Sequence, residues 1–140
     1  MTRFQDVAVG DEIPNLQRVV TREDVKAYAD AGGDQNPLHQ DDASARDAGF
    51  EGIIAHGMFT MGHLAAAVNQ WSGPDAWVAR IEAQFRAPVS MGESITAGGR
   101  VRSIDQHDRA VVLDLWVSLE REGQRLWPIK RGQAEIRFPN

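Results

Sequence analysis

The sequence predicts an α+β fold in which a curved antiparallel sheet wraps around one long central helix. Three observations predict it: helical periodicity dominates the first half, the period changes to two after Pro74, and several strands then follow one another without intervening helices. Helices followed by neighbouring strands favour an α+β architecture over alternating βα units. Residues 1–140 contain no repeat, linker or low-complexity segment, so we expect one domain.

The first half of the chain carries a strand and two helices. A first strand is predicted over residues 16–20. Thr21 is a suitable cap for the helix that follows, and Gly32-Gly33 ends this helix because consecutive glycines are poor helix formers. A short second helix is predicted over residues 42–48. The polar segment between these two helices therefore lies in a loop.

The third helix has the clearest pattern in the chain. Its apolar residues recur at helical spacing, and Ser72-Gly73-Pro74 ends it. We expect it to begin near Ala55-His56-Gly57-Met58. The apolar stripe consists of Ile54, Met58, Met61, Leu64, Ala65, Val68 and Trp71.

Alternating strands are predicted over residues 77–85, 94–104, 111–119 and 124–138. Glu122-Gly123 forms a hairpin turn between the last two. One such sheet leaves strand edges and part of the helix uncovered, so we expect a dimer.

Composition excludes several classes of function. The chain has 15 basic and 20 acidic residues, a net charge of −5, which argues against nucleic acid as a main partner. It has no cysteine, so disulfides, thiolate metal sites and cysteine nucleophiles are excluded. Its N-terminus has no apolar signal core and no run is long enough for a membrane span, so we expect no membrane association and a cytoplasmic protein.

Polar residues cluster in the loop between the first two helices, at Asp34, Asn36 and His39. Pro37 keeps Asn36 extended, so the loop can direct Asp34 and His39 towards one point. A carboxylate and an imidazole that share one water form a general acid–base pair, and each positioned group typically contributes about 10²–10⁴ in rate. The alternative is that Asp34 and Asn36 cap turns and His39 is an exposed loop residue; spacing alone does not decide between the two.

Gly57 lies at the predicted start of the third helix. An amide at this position has no partner within the helix and lies at its positive end, and glycine lets a ligand approach the backbone. Such an amide could polarise a thioester or another carbonyl and stabilise the enolate formed during addition or elimination. Loss of one such donor typically costs about 2.7–4 kcal/mol in activation energy. The alternative is a glycine that admits tight helix packing.

The histidines His39, His56 and His63 raise the question of a metal site. His56 and His63 are seven residues apart, whereas zinc-binding pairs on one helix are normally closer. We therefore predict no metal and assign His63 to packing or an interface. The GxSxG and GxGxxG motifs are absent, which argues against a serine hydrolase and a dinucleotide site. The four tryptophans are assigned to the core or an interface.

Four segments of the chain form a specific pattern when they are taken together. They are Gly33-Asp34-Gln35-Asn36-Pro37-Leu38-His39, Ala48-Gly49-Phe50, Ile54-Ala55-His56-Gly57-Met58 and Phe85-Arg86-Ala87-Pro88-Val89. This pattern resembles the MaoC-like, (R)-specific enoyl-CoA hydratase family, and the resemblance extends over nearly the whole chain.

The resemblance implies a hot-dog fold and hydration of trans-2-enoyl thioesters to (R)-3-hydroxyacyl thioesters, or the reverse dehydration. It makes Asp34 and His39 a catalytic dyad that activates water for attack at the β-carbon and delivers a proton to the α-carbon. The Gly57 amide becomes the oxyanion donor. A serine that some members carry further along the helix is replaced here by Ala65. The substrate-binding residues that we expect are Asn36, His56, Met58 and Ala65.

The resemblance also bears on cofactors and partners. It implies no cofactor, with coenzyme A or acyl-carrier-protein as the carrier of the acyl group. Single-domain members are usually dimers, and some pair with a catalytically silent hot-dog subunit, so a homodimer and a heterodimer both stay open. Candidates for meeting carrier phosphates, with surface salt bridges as the alternative, are Arg80, Arg86, Arg100, Lys130 and Arg131.

Two other functions are compatible with the same residues. A thioesterase on this fold would direct a carboxylate and water at the carbonyl carbon and release free thiol. A non-catalytic subunit would bind a thioester without turning it over, although such a subunit has no need of an intact dyad.

Overall fold

The computed structural model describes residues 2–140, in which five strands form one antiparallel sheet packed on a long helix. The strands are β1 (Glu12–Val19), β2 (Trp77–Glu82), β3 (Ser94–Asp105), β4 (Ala110–Arg121) and β5 (Gln124–Arg137). The helices are α1 (Arg22–Gly32), α2 (Asp42–Asp47) and α3 (Gly57–Ser72), with 3₁₀ turns at Phe4–Asp6 and Pro37–His39.

The strand order is β1-β3-β4-β5-β2, and every neighbouring pair is antiparallel. Leu64 and Val68 of α3 are fully buried and share one apolar cluster with Leu113 and Ile129 of the central strands. The predicted α+β arrangement, with a sheet around a central helix, is confirmed. The two edges of the sheet are β1 and β2, because each pairs on one side only.

Helix α1 begins and ends where the sequence predicts. Thr21 accepts a hydrogen bond from the Asp24 amide at 3.1 Å, and the Asp24 carboxylate accepts one from the Thr21 amide at 3.2 Å. This reciprocal capping satisfies two amides that have no partner within the helix. At the other end Gly33 takes a left-handed conformation with φ of 77°, which turns the chain out of the helix directly before the polar loop.

Strand β1 is longer than the predicted segment of residues 16–20, since it begins at Glu12. Its pairing with β3 shifts register between Ile13 and Leu16, at the position of Pro14. Proline lacks an amide hydrogen and is tolerated in sheets at edges and bulges, and β1 provides both. The sequence pattern did not reveal a strand that passes through a proline.

Strand β2 is shorter than predicted, and its alternation is interrupted. It ends at Glu82, and a bulge between Val78 and Arg80 shifts its register against β5. Val78 therefore packs against the core, whereas Trp77 is 53% exposed. Phe85, which was predicted to lie in this strand, is joined to the sheet by one isolated bridge to Ile129.

Helix α3 begins at Gly57, and its buried face differs from the predicted stripe. Of the stripe, Leu64 and Val68 are fully buried, whereas Met58 is 55% exposed. The helix is apolar around most of its circumference, so periodicity alone does not select one buried face. The buried residues are Thr60, His63, Leu64, Ala67, Val68 and Ser72. Within residues 2–140, none of the helices has the length and apolar character needed to cross a membrane.

Candidate active site

The loop after α1 is held by hydrogen bonds between its own side chains and backbone. Asp34 accepts the Asn36 amide through Oδ1 at 3.2 Å, and Asn36 accepts the Leu38 amide through Oδ1 at 3.1 Å. The turn-capping that spacing offered as an alternative is therefore present for both residues. This bond engages one carboxylate oxygen of Asp34, so the other oxygen can still accept a hydrogen bond.

His39 ends the 3₁₀ turn Pro37–His39 and is half-buried. Its Nδ1 lies 2.7 Å from the carbonyl oxygen of Ile54. A carbonyl only accepts hydrogen bonds, so Nδ1 carries a hydrogen, and the neutral ring presents the lone pair on Nε2. The backbone before α3 thus sets the tautomer that a general base requires.

His56 lies beneath His39 as the N-cap residue of α3. Its side chain is 2% exposed, and the two imidazole rings stack with centroids 3.9 Å apart and planes at 27°. Its Nε2 lies 3.1 Å from the backbone carbonyl oxygen of Asp34. Tyr28 covers His56 at a centroid distance of 4.9 Å. These contacts join α1, the loop and the start of α3.

One nitrogen or oxygen from each of Asp34, His39 and His56 lies within 4.8 Å of the others. A zinc ion would need its nitrogen ligands at about 2.0–2.1 Å with lone pairs converging on it. Stacked rings hold their lone pairs in nearly parallel planes, so the two rings do not direct their lone pairs onto one point. This arrangement suits an acid–base pair better than a metal, and the absence of a resident metal stays our prediction.

Gly57 is the first residue of α3, where a backbone amide has no acceptor within its own helix. A Cβ at this position would lie 3.2 Å from the ring of Phe85, closer than an ordinary carbon contact. The tight packing that was the alternative role for this glycine is therefore real. It is compatible with an oxyanion role, since the same missing side chain leaves the amide open to a ligand.

A cavity of about 410 Å³ brings His39 and Gly57 together. Its wall is mostly apolar and is lined by His39, Phe50, Ile54, Ala55, Gly57, Thr60, Phe85, Arg86, Ala87, Pro88, Val89 and Pro128. Asp34 and Asn36 are exposed and, like Met58 and Ala65, are not among its lining residues. A carboxylate oxygen of Asp34 lies within 4.8 Å of a ring nitrogen of His39, which does line the cavity. A volume of this size is typical of a small-molecule site.

The sequence did not reveal several wall residues. Phe50 and Phe85 were recognised in the four-segment pattern but were not assigned to the site. Pro128 carried no local signal, because it reaches the cavity only through the pairing of β5 with neighbouring strands.

The wall that contains Pro88 and Val89 is tied to both α3 and the sheet. The Val89 carbonyl accepts the Ala55 amide at 2.8 Å. Arg121 on β4 donates two hydrogen bonds to Glu93, at 2.6 and 2.8 Å, and a third to the Pro88 carbonyl at 3.1 Å. Burial alone would raise the pKa of Glu93, but these bonds and one from the Ser90 amide outweigh it, and the pKa is lowered.

Comparison with known proteins identifies a family and several relatives of this chain. The family model described as a MaoC like domain matches residues 6–120. A 3-hydroxybutyryl-CoA dehydratase of Methylorubrum extorquens is 35% identical over 138 residues, which are 97% of this chain and 83% of the relative. A mitochondrial 3-hydroxyacyl-[acyl-carrier-protein] dehydratase of Arabidopsis thaliana is 39% identical over 87 residues, 62% of this chain and 51% of the relative. An (R)-specific enoyl-CoA hydratase of Rhodospirillum rubrum is 30% identical over 95 residues, which are 67% of this chain and 65% of the relative. The chain thus spans about half of the Arabidopsis protein and about two thirds of the Rhodospirillum protein.

Solved structures show the same fold. The (R)-hydratase of A. caviae superposes with a TM-score of 0.87 at 25% identity and covers 96% of this chain and 99% of its own. The ChsH1-ChsH2 complex of Mycobacterium tuberculosis contains a chain with a TM-score of 0.82 at 18% identity, covering 94% of this chain and 98% of that one. The hot-dog fold that the resemblance implied is confirmed.

Proposed function

This chain belongs to the MaoC-like domain family, and we propose that it interconverts trans-2-enoyl thioesters and (R)-3-hydroxyacyl thioesters. The observation that carries the proposal is the meeting of the free Nε2 of His39 and the Gly57 amide at one apolar cavity, with the Asp34 carboxylate beside them. The relatives named as hydratases and dehydratases support the same reaction class.

In the hydration direction, Asp34 and His39 hold one water and take a proton from it. The water oxygen bonds to the β-carbon as the carbon–carbon π pair moves to the α-carbon and the thioester oxygen. The Gly57 amide donates a hydrogen bond to the resulting enolate oxygen, where the charge develops. The dyad then returns a proton to the α-carbon, and dehydration follows the same steps in reverse.

We propose that the carrier of the acyl group is coenzyme A or acyl-carrier-protein and that Arg86 meets it. Of the five basic residues considered as phosphate contacts, Arg86 is the one in the cavity lining. Arg100 is paired with Glu12 at 2.7 Å, at the edge of the sheet formed by β1. The cation at the cavity therefore has the position from which it can meet an anionic carrier.

A homodimer is the assembly that we propose, with a heterodimer containing a second hot-dog subunit as the alternative. The edge strand β2 presents Trp77, and Met58 and Phe85 are 55% and 50% exposed. Exposed large apolar residues near an unpaired strand edge are typical of an interface between chains. Sedimentation of the purified protein distinguishes a dimer from a monomer. The cytoplasmic location stays a prediction of the sequence.

The test is hydration of crotonyl-CoA and of a longer 2-enoyl-CoA, followed by loss of enone absorbance and chiral analysis of the product. We expect an (R)-3-hydroxyacyl product. His39→Ala should lower turnover by about 10²–10⁴ with little change in melting temperature, because His39 is a half-buried loop residue. His107→Ala is the matched control, since His107 is exposed in the turn after β3.

Three results would contradict the proposal. Release of free thiol from saturated acyl-CoA would indicate a thioesterase. Tight binding of thioesters with no turnover in either direction would indicate a silent subunit. An equal loss of activity in the two histidine variants would remove the special role of His39.

A further inference from the structure

We propose that His56 is a positioning residue that holds both members of the dyad in place, and that it does not bind substrate itself. The inference rests on the proposed function, because it concerns how Asp34 and His39 are kept ready for the reaction. The sequence suggested a substrate contact for His56. Its side chain is 2% exposed, and it is not among the residues that line the cavity.

The hydrogen bond from His56 restrains the loop that carries the Asp34 carboxylate. Its Nε2 lies 3.1 Å from the Asp34 carbonyl oxygen, which only accepts, so Nε2 carries a hydrogen. The two residues are 22 positions apart in the chain. This bond therefore links the exposed loop to the rigid start of α3, and it acts on the same residue that supplies the dyad's carboxylate.

The ring of His56 restrains His39 in a second way. The bond from His39 Nδ1 to the Ile54 carbonyl fixes one in-plane direction of the imidazole but leaves the ring able to tilt about that bond. The His56 ring, 3.9 Å away and nearly parallel, supports the face of the imidazole and opposes that tilt. Together the two contacts determine where His39 Nε2 points.

The His56 ring is itself packed against a neighbouring aromatic side chain. Tyr28 from α1 packs on His56 with centroids 4.9 Å apart, and Tyr28 meets Phe59 of α3 edge-on at 5.9 Å. Rings from two helices thus form a base for the stack. Gly57 follows His56 directly in the chain, so a displacement of the His56 backbone would also displace the proposed oxyanion donor.

Two features of His56 are hard to explain by stability of the fold alone. It occupies the N-cap of α3, where Ser, Thr, Asp or Asn would cap the helix, yet its side chain makes no capping hydrogen bond. Its Nδ1 is buried without a hydrogen-bond partner among the described residues, which is unfavourable. An apolar ring would avoid that penalty. A histidine at this position is explained if the flat ring is needed to support His39 and the Nε2 hydrogen is needed to bond the Asp34 carbonyl.

His63 provides a matched control on the same helix. It is also buried, at 9% exposure, and its Nε2 also donates to a backbone carbonyl, that of Leu16 at 2.8 Å. It ties α3 to β1 and lies outside the cavity lining. A loss caused only by removal of a buried histidine and its hydrogen bond should therefore be similar at the two positions.

The experiment compares His56→Phe, which keeps a flat ring but removes the donor, with His56→Gln, which keeps a donor but removes the ring. His63→Gln is the control. Steady-state kinetics with crotonyl-CoA should show kcat lower by about 10²-fold in both His56 variants, the size expected for a misplacement of about 1 Å, with KM little changed. In His63→Gln we expect a lower melting temperature and unchanged kcat.

A second readout does not depend on activity. The chain has four histidines, so their ring proton resonances can be assigned by substitution in NMR spectra. The stacked His56 ring should shift the His39 ring protons, and His56→Gln should move them while His63→Gln leaves them in place. This measurement keeps the inference testable if one His56 variant folds poorly, since Phe and Gln are examined separately.

The outcomes separate the two proposals. If the native protein hydrates enoyl thioesters but both His56 variants keep native kcat, the positioning role is overturned and the function stands. If the native protein turns over no thioester, the function fails, while the His39 resonances still report whether His56 orders that ring. Unmoved His39 resonances in both folded His56 variants overturn the inference whatever the activity.

Discussion

Replacement of Gly57 by alanine separates its packing role from its proposed oxyanion role. The new Cβ would lie 3.2, 3.2 and 3.3 Å from three ring atoms of Phe85, so the ring must move by a few tenths of an ångström. Phe85 is 50% exposed and can yield, and φ of Gly57 is not positive, so the backbone accepts alanine. Alanine also favours the helix, by at most about 1 kcal/mol. We expect the net change in the free energy of unfolding to stay within about 1 kcal/mol, because these effects oppose each other.

Activity should respond much more strongly than stability in Gly57→Ala. The methyl group would project into the cavity between the amide and Phe85, where the enolate oxygen must come to about 2.7–3.1 Å from the donor. Loss of one such donor costs about 2.7–4 kcal/mol, so kcat for crotonyl-CoA hydration should fall by about 10²–10³-fold. Thermal unfolding and steady-state kinetics on one preparation measure both quantities.

Gly62→Ala is the matched control for this experiment. Gly62 lies in the same helix, and a Cβ there would have no atom within 4 Å. We expect a small gain in stability and unchanged kcat. The reasoning is refuted if Gly57→Ala keeps native turnover, or if it loses several kcal/mol of stability and its activity declines only in proportion to the folded fraction.

Three further predictions concern charge. Arg86→Ala should raise KM for a CoA thioester more than for a pantetheine thioester that lacks the nucleotide. As a control, Arg131→Ala should change neither KM. Equal effects of Arg86→Ala on both substrates would exclude a contact between Arg86 and the nucleotide phosphates. The pKa of Glu93 in the folded protein is lowered from its ordinary 4.5, so its contribution to stability is present above pH 4.5 and is lost as the pH falls through the folded pKa. Glu93→Gln should therefore be less stable than the native protein at neutral pH. In denaturant titrations at decreasing pH, its free energy of unfolding should fall less steeply than that of the native protein. Burial lowers the pKa of His63 from 6.5, so the unfolded chain takes up this proton at a higher pH than the folded protein does. The free energy of unfolding should therefore decline as the pH falls below 6.5. His63→Gln should remove this part of the pH dependence.

Much of the fold could be predicted from the sequence because the signals are local. The reciprocal cap at Thr21, the left-handed turn at Gly33 and the hairpin at Glu122-Gly123 each depend on a few neighbouring residues. Their positions could therefore be predicted from the sequence. The period of apolar residues likewise separated helices from strands, since burial on one face imposes it.

The candidate site was predicted in part. The polar loop and the glycine at the start of α3 stood out as Asp34, His39 and Gly57. The structure brings Asp34 close to His39, and His39 and Gly57 to one cavity, while their roles in the reaction stay predictions. Met58 and Ala65, expected at the substrate, lie outside the lining of this cavity. The faces of α3 were not decided by the sequence, because a helix that is apolar all round has several stripes of similar strength.

The sequence by itself determined the order of the elements, the ends of α1 and the residues of the polar loop, because each of these follows from interactions between near neighbours. Tertiary structure decided the bulge that turns Trp77 outward, the arrival of Phe85 at Gly57, and the stacking of His56 on His39. Each of these brings together segments that are distant in the chain or depends on strand register. Such contacts are set by how the sheet and helix pack as a whole, and no local pattern encodes them.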